Sequence, residues 1–158
     1  MINASLDVRP DIEGEIEFRD VTFRYPSEPQ HIVLDKINFK INKNETVAFV
    51  GETGCGKSTI ISLIEKFYDN FDGEILIDGY DIRKIDKTYL REKLGLVSQE
   101  PILFNTTVYE NIRYGKLDAN YDEIMIAAEK ANVDEFIETL PLKYETIVGS
   151  KGGKLSGG

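Results

Sequence analysis

Gly51-Glu52-Thr53-Gly54-Cys55-Gly56-Lys57-Ser58, followed by Thr59, is the stretch that decides how this chain is read. It satisfies the pattern G-x-x-x-x-G-K-[ST]. Residues 46–50 before it form a short, nearly unbroken apolar run, as expected of a strand buried on both faces. Residues 57–67 after it place Ile60, Ile61, Leu63, Ile64 and Phe67 at helical spacing. Between a strand and a helix, such a loop has the right residue types to hold phosphate. Glycines let successive N–H groups turn inward, and no Cβ blocks the approach. The helix aims its positive N-terminus at the same anion. Lys57 supplies a compact charge for the outer phosphates, and the Ser58 hydroxyl suits Mg²⁺. The alternative is an ordinary glycine turn. A chance match to the four fixed positions is roughly a one-in-a-hundred event at average residue usage.

Working outward, residues 1–14 are polar and irregular and read as a linker. Ile16 and Phe18, then Val21, Phe23 and Tyr25, alternate with polar residues, and the phase shift near Asp20 predicts two short strands with a break there. After the turn Pro26-Ser27-Glu28-Pro29, Ile37, Phe39 and Ile41 alternate again. The opening therefore predicts antiparallel β structure with one wet face. Residues 74–77 predict a strand ending in the hairpin signal Asp78-Gly79. Residues 94–98 predict a further strand. Residues 108–113, 121–131 and 133–140 predict helices, the last stopped by Pro141.

The chain has 158 residues, enough for one domain, and 41% of them are hydrophobic, enough for a packed core. A net charge of −9 argues against a nucleic-acid partner, which needs clustered Lys and Arg. Cys55 is the only cysteine, so no internal disulfide can form. No apolar run approaches the ~18 residues needed to span a bilayer, and residues 1–12 do not resemble a signal peptide.

The phosphate loop alone is shared by many nucleotide enzymes. Three further motifs narrow the choice. They are Phe23-Arg24-Tyr25-Pro26, Val97-Ser98-Gln99-Glu100-Pro101, and the closing Leu155-Ser156-Gly157-Gly158. With these the chain resembles the ATP-binding cassette family: the first run its aromatic loop, Gln99 its glutamine loop, and the last its signature. Gly73-Glu74-Ile75-Leu76-Ile77-Asp78-Gly79, Leu103-Phe104, Glu110-Asn111-Ile112-Arg113-Tyr114-Gly115 and Thr146-Ile147-Val148-Gly149 resemble the multidrug-type, P-glycoprotein-like exporter branch. The resemblance runs from about Gly14 to the last residue. It departs at Ser150, where exporters commonly carry an acidic residue, and at Lys154, where they carry Gln.

The resemblance implies ATP and Mg²⁺ as cofactors. Tyr25 would stack on adenine, the alternative being a core aromatic at a strand end. Residues 51–59 (Gly51, Glu52, Thr53, Gly54, Cys55, Gly56, Lys57, Ser58 and Thr59) would bind the phosphates. Ser58 and Gln99 would serve the metal. Ser156, Gly157 and Gly158 would bind the γ-phosphate of ATP held by a second cassette. No catalytic residue is assigned, because the family places its catalytic carboxylates and switch histidine after the signature. Asp78 imitates the metal-binding Asp that ends an apolar strand, but Gly79 follows it, and a hairpin turn is the better reading. His31 precedes the phosphate loop and reads as a turn residue. Cys55 reads as a small loop residue with some scope for reactivity.

The expected fold is α/β. It is a P-loop NTPase cassette with an opening antiparallel β subdomain, a partial RecA-like core and a helical subdomain over about 104–158, and the C-terminal core strands are missing. The expected parent is an ATP-driven exporter with this cassette on the cytoplasmic face, partnered by transmembrane domains and a second cassette. A soluble cassette ATPase and a nucleotide-gated binding module without turnover are the alternatives. The acidic charge and the exporter-like residues 146–149 weigh against the first.

Overall fold

The computed structural model describes residues 8–98 and 101–149. The chain divides into two compact units, Met1–Leu96 and Val97–Gly158.

The first unit is built on strand β1 (Ile16–Phe23), which is hydrogen-bonded on both edges. It pairs antiparallel with β2 (Leu34–Ile41) on one side and with β3 (Phe71–Ile77) on the other. A two-residue strand, β4 (Tyr80–Asp81), completes the order β2-β1-β3-β4. The phase shift read near Asp20 is a bulge within one strand rather than a break between two. Phe18, Val21 and Phe23 are all buried, so the inward spacing is three residues and then two. The pairing shifts register between Phe18 and Val21, and Asp20 takes φ 49°. One extra residue there re-aims the rest of the strand. Asn38 holds the bulge, accepting from the Asp20 N–H at 3.0 Å and donating to the Asp20 carboxylate at 2.8 Å. Opposite it stands Gly73 at φ 83°, where a Cβ would lie 2.4 Å from the Asp20 carbonyl oxygen and 2.5 Å from that of Arg19. Glycine is therefore required there by both dihedral and space.

Helix α1 (Lys57–Ile64) packs Ile60, Leu63 and Ile64 into the same core as Phe18, Phe23 and Ile75. The β3–β4 connection is a two-residue turn with Asp78 at φ 50° and Gly79 at φ 80°, the hairpin type that matches strand twist. The Asp78 side chain does a second job. Its carboxylate accepts from the N–H groups of Glu13, Gly14 and Glu15 at 2.9, 3.1 and 3.0 Å. Residues 8–14, expected as a linker, are docked in other ways too. Val8 donates to Lys84 and accepts from Asp86, and the Tyr89 hydroxyl donates to the Pro10 carbonyl at 2.7 Å. Tyr89 belongs to α2 (Lys87–Glu92), a short helix the apolar spacing did not announce; Asp86 caps it through the Tyr89 N–H.

Two expected strands differ. Residues 46–50 and 94–98 carry no strand pairing, and Val50 and Val97 are 92% and 97% exposed. A strand exists only through neighbours that satisfy its N–H and C=O groups. Among the described residues none flanks these two segments. Phe49 is still anchored, packing its ring against Phe39 at 5.4 Å.

The second unit pairs β5 (Thr106–Thr107) with β6 (Ile147–Val148) and carries three helices, α3 (Val108–Arg113), α4 (Tyr121–Lys130) and α5 (Asp134–Thr139). All three helices fall where the spacing predicted. Thr107 caps α3, and Asn120 with Glu123 forms a full capping box on α4. Val108, Ile124, Ala128, Ile137, Tyr144 and Val148 make its core. No helix among the described residues is long and apolar enough to cross a membrane.

Two outcomes test this account. Gly73→Ala should destabilise the first unit by ~2 kcal/mol or more, since backbone oxygens cannot yield to the new methyl and the dihedral is strained. Chemical denaturation read by tyrosine fluorescence measures it. The second concerns acid. Partial burial pushes the Asp78 carboxyl up, but the N–H groups of Gly14, Glu15 and Glu13, with the Lys43 charge, outweigh it and hold the pKa below the ordinary 3.8. A pKa lower in the folded than in the unfolded chain gives stability that is complete above about pH 3.8 and lost as pH falls through the folded value. Asp78→Asn should be less stable at neutral pH and should show a shallower loss in acid, measured as denaturation midpoint against pH.

Candidate nucleotide-binding site

Helix α1 begins directly after Gly56, which takes φ 94° and provides no side-chain cap. The first-turn N–H groups of α1 are therefore left to the loop in front of them. A Cβ on residue 56 would lie 2.6 Å from Leu34 Cδ2 and 3.2 Å from the Val33 carbonyl oxygen. Glycine thus lets the helix start seat tightly on the beginning of β2. Gly54 is also left-handed, at φ 87°, and the Cys55 N–H donates to the Glu52 carbonyl at 3.3 Å, closing the loop on itself.

The Lys57 ammonium folds back over this loop. Its Nζ donates to the carbonyls of Gly51 at 2.8 Å and Glu52 at 2.6 Å and lies 3.5 Å from Cys55 Sγ. Residues 51–55 and Ser58 are exposed, Lys57 is half-buried, and Thr59 is buried. A left-handed glycine loop, free N–H groups at a helix start and a fixed cation form a donor set suited to a polyphosphate. The exposed Ser58 hydroxyl suits a hard cation. No group of three His, Cys, Asp or Glu residues among those described could hold a metal. A Mg²⁺ ion at Ser58 would complete its shell mainly with phosphate oxygens and water.

Tyr25 lies two residues past the end of β1 and reaches the first turn of α1. Its hydroxyl shares a hydrogen bond with Thr59 Oγ1 at 2.7 Å. The half-buried ring meets Phe23 edge to face at 5.0 Å and Tyr68 at 5.4 Å. Beside it opens a shallow depression of about 410 Å³, lined among others by Arg24, Pro26, Pro29 and Phe71. The aromatic expected for the base thus stands at the helix that begins in the phosphate loop.

Other residues fall elsewhere. Asp78 is committed to its hairpin and to the backbone of residues 13–15. His31 lies in the turn before β2, its N–H donating to the Glu28 carbonyl. Gln99, Ser156, Gly157 and Gly158 lie outside the described residues. No local pattern signals the Tyr25–Thr59 bond or Tyr68 beside it. Buried Lys66 was also missed; it donates to the carbonyls of Ile85 at 2.6 Å and Arg83 at 3.1 Å. Its only hint is a lysine ending an apolar helical pattern.

Known proteins resemble this chain in sequence and fold. A solved structure of a bacterial Atm1-family ABC exporter with ATP bound superposes with a TM-score of 0.89 at 39% identity, over 99% of this chain and 27% of that one. ABC transporter B family member 3 of Dictyostelium discoideum is 55% identical over 96% of this chain and 11% of its own length. ABC transporter B family member 19 of Arabidopsis thaliana is 51% identical over 93% of this chain and 12% of its own. Multidrug resistance protein 4 of Entamoeba histolytica is 46% identical over 94% of this chain, again 12% of its own. The chain thus spans only about a tenth of these relatives. The family model described as ABC transporter matches residues 34–158, most of the sequence. The chain belongs to the ABC transporter family, as part of its ATP-binding cassette.

Proposed function

We propose that this chain is the nucleotide-binding part of a multidrug-type exporter, holding Mg·ATP through residues 51–59 with Tyr25 against the adenine. The observation that carries this reading is the loop itself, with its left-handed glycines, an uncapped α1 start and the Lys57 ammonium gathered onto it. Lys57 would exchange its two carbonyl partners for the outer phosphates, and Ser58 would meet the metal. Gln99 would approach the same metal. Ser156, Gly157 and Gly158 would close over ATP held by a second cassette. Binding would draw two cassettes together, and hydrolysis would release them. Transmembrane domains of the parent would convert that cycle into transport, with the cassette on the cytoplasmic face. The names of the relatives, multidrug resistance protein and ABC exporter, support the transport reading.

A second reading applies to these 158 residues by themselves. Asp78, the one carboxylate that ends an apolar strand before a glycine, is taken up by three backbone donors. It is not free to orient water. Binding without turnover is therefore the expected behaviour of this stretch.

Both readings give measurable outcomes. Lys57→Ala should weaken binding of a fluorescent ATP analogue by about tenfold or more, since charge-assisted contacts to the outer phosphates are lost while the loop glycines remain. Equal affinities would reject the site. A preparation of these 158 residues should release no phosphate from ATP above its Lys57→Ala blank. Steady release abolished by that substitution would reveal a catalytic carboxylate within the 158 residues.

A further inference from the structure

Lys66 is a buried cation that the nucleotide site does not use. It is 5% exposed, and among the described residues its ammonium is answered by carbonyls and not by a carboxylate. A buried ammonium loses its hydration, so it persists only where fixed acceptors replace the water. The acceptors here are particular. Lys66 stands just past Glu65, the C-cap of α1, at φ 54°. Its Nζ donates to the carbonyls of Arg83 at 3.1 Å and Ile85 at 2.6 Å. The groups between and after these two carbonyls serve a different partner. The Lys84 carbonyl accepts from the Val8 N–H at 2.8 Å, and the Asp86 N–H donates to the Val8 carbonyl at 2.9 Å. Residues 83–86 are thus clasped by α1 through Lys66 and by the incoming chain through Val8. Arg91 of α2 adds a second tie to the end of α1, its Nε donating to the Glu65 carbonyl at 3.0 Å.

We infer that Lys66 couples occupancy of the phosphate loop to the docking of residues 8–10. The inference rests on the ATP-binding reading above and adds a regulated element to it. α1 has eight residues and spans about 12 Å. Ile60, Leu63 and Ile64 fix it in the core, so its two ends move together. Its start carries the free N–H groups of the phosphate loop, and Lys66 follows its end. A ligand that orders the start therefore restrains the end, and through residues 83–86 it restrains Val8. The second state is a local opening, in which Val8 leaves residues 84–86 while the sheet stays paired. Coupling of this kind is reciprocal: the factor by which ATP disfavours opening is the factor by which opening weakens ATP. The docking of the chain that arrives at residue 8 thus depends on whether the loop is filled.

Amide hydrogen exchange of the whole chain, with and without saturating Mg·ATP, tests this. The Val8 and Asp86 N–H groups report the open state directly. Mg·ATP should slow both by about fivefold or more, the lower end of ordinary coupling. It should leave unchanged the N–H groups of Glu13 and Gly14, which are held by Asp78 instead. Lys66→Met keeps an unbranched stem in the buried site and removes both bonds. In this variant Val8 and Asp86 should exchange faster without ATP and should no longer slow when ATP is added, while calorimetry still shows saturable ATP binding. A lysine with a structural role alone would change the rates without changing their response to ATP. Equal slowing of all four amides, no slowing of Val8 and Asp86, or a response preserved in Lys66→Met would each overturn the inference. If Lys66→Met does not fold, the contrast between the two pairs of amides in the unsubstituted chain decides. An unsubstituted chain that binds Mg·ATP with no change at Val8 and Asp86 would overturn the inference and leave the ATP reading standing. One that does not bind Mg·ATP would overturn the ATP reading itself.

Discussion

Everything in the first unit hangs on β1 being paired along both edges. Its hydrogen bonds to β2 and β3 place Phe18, Val21 and Phe23 in the core on which α1 rests. The bulge at Asp20 decides which residues those are, since without the extra residue Val21 and Phe23 would turn to solvent. The same strand delivers Tyr25 to α1, and its partner β2 begins at Leu34, against which Gly56 seats the helix start. The phosphate loop and the aromatic are therefore two outputs of one piece of sheet. Gly73 is the condition for it, because it admits the carbonyls of the bulge.

What could be read from the sequence was local. Asp78-Gly79 specifies its turn through two adjacent dihedrals, and α3, α4 and α5 specify themselves through apolar period and caps such as Thr107 and Asn120. The phosphate loop is local too, with every part of it between Gly51 and Thr59. The alternation around Asp20 correctly signalled an irregularity, though a bulge and a strand break look alike in one sequence. Residues 46–50 differ from the expected strand for another reason. Their apolar run records a preference for burial, but a strand is a property of a pair, and the run does not carry its own neighbours.

The remaining features join distant positions. Tyr25 and Thr59 are 34 residues apart, and nothing in either neighbourhood announces the other. Lys66 finds its carbonyls 17 and 19 residues away. Carbonyl acceptors are chemically the same at every position, so a sequence cannot say which ones a lysine will find. The assignment of Asp78 to a turn was legible, whereas its grip on residues 13–15 depends on a chain passing 63 to 65 positions earlier.

That grip has a mechanical side. The chain ahead of the sheet does not simply arrive at β1. It is tied to the body by Val8 bridging to Ile85, by the Arg9–Asp86 ion pair, by Pro10 under Tyr89, and by three N–H groups on the Asp78 carboxylate. Tension on the segment before Val8 would meet these ties before it reached a sheet hydrogen bond. They act on successive residues of one short stretch, so a pull would load the ties of Val8 and Arg9 first, then Pro10, then the three N–H groups on Asp78. The segment transmits a pull as a strut does, and a movement imposed at residue 8 would be felt at the 78–79 turn and at α2 before it was felt at the phosphate loop.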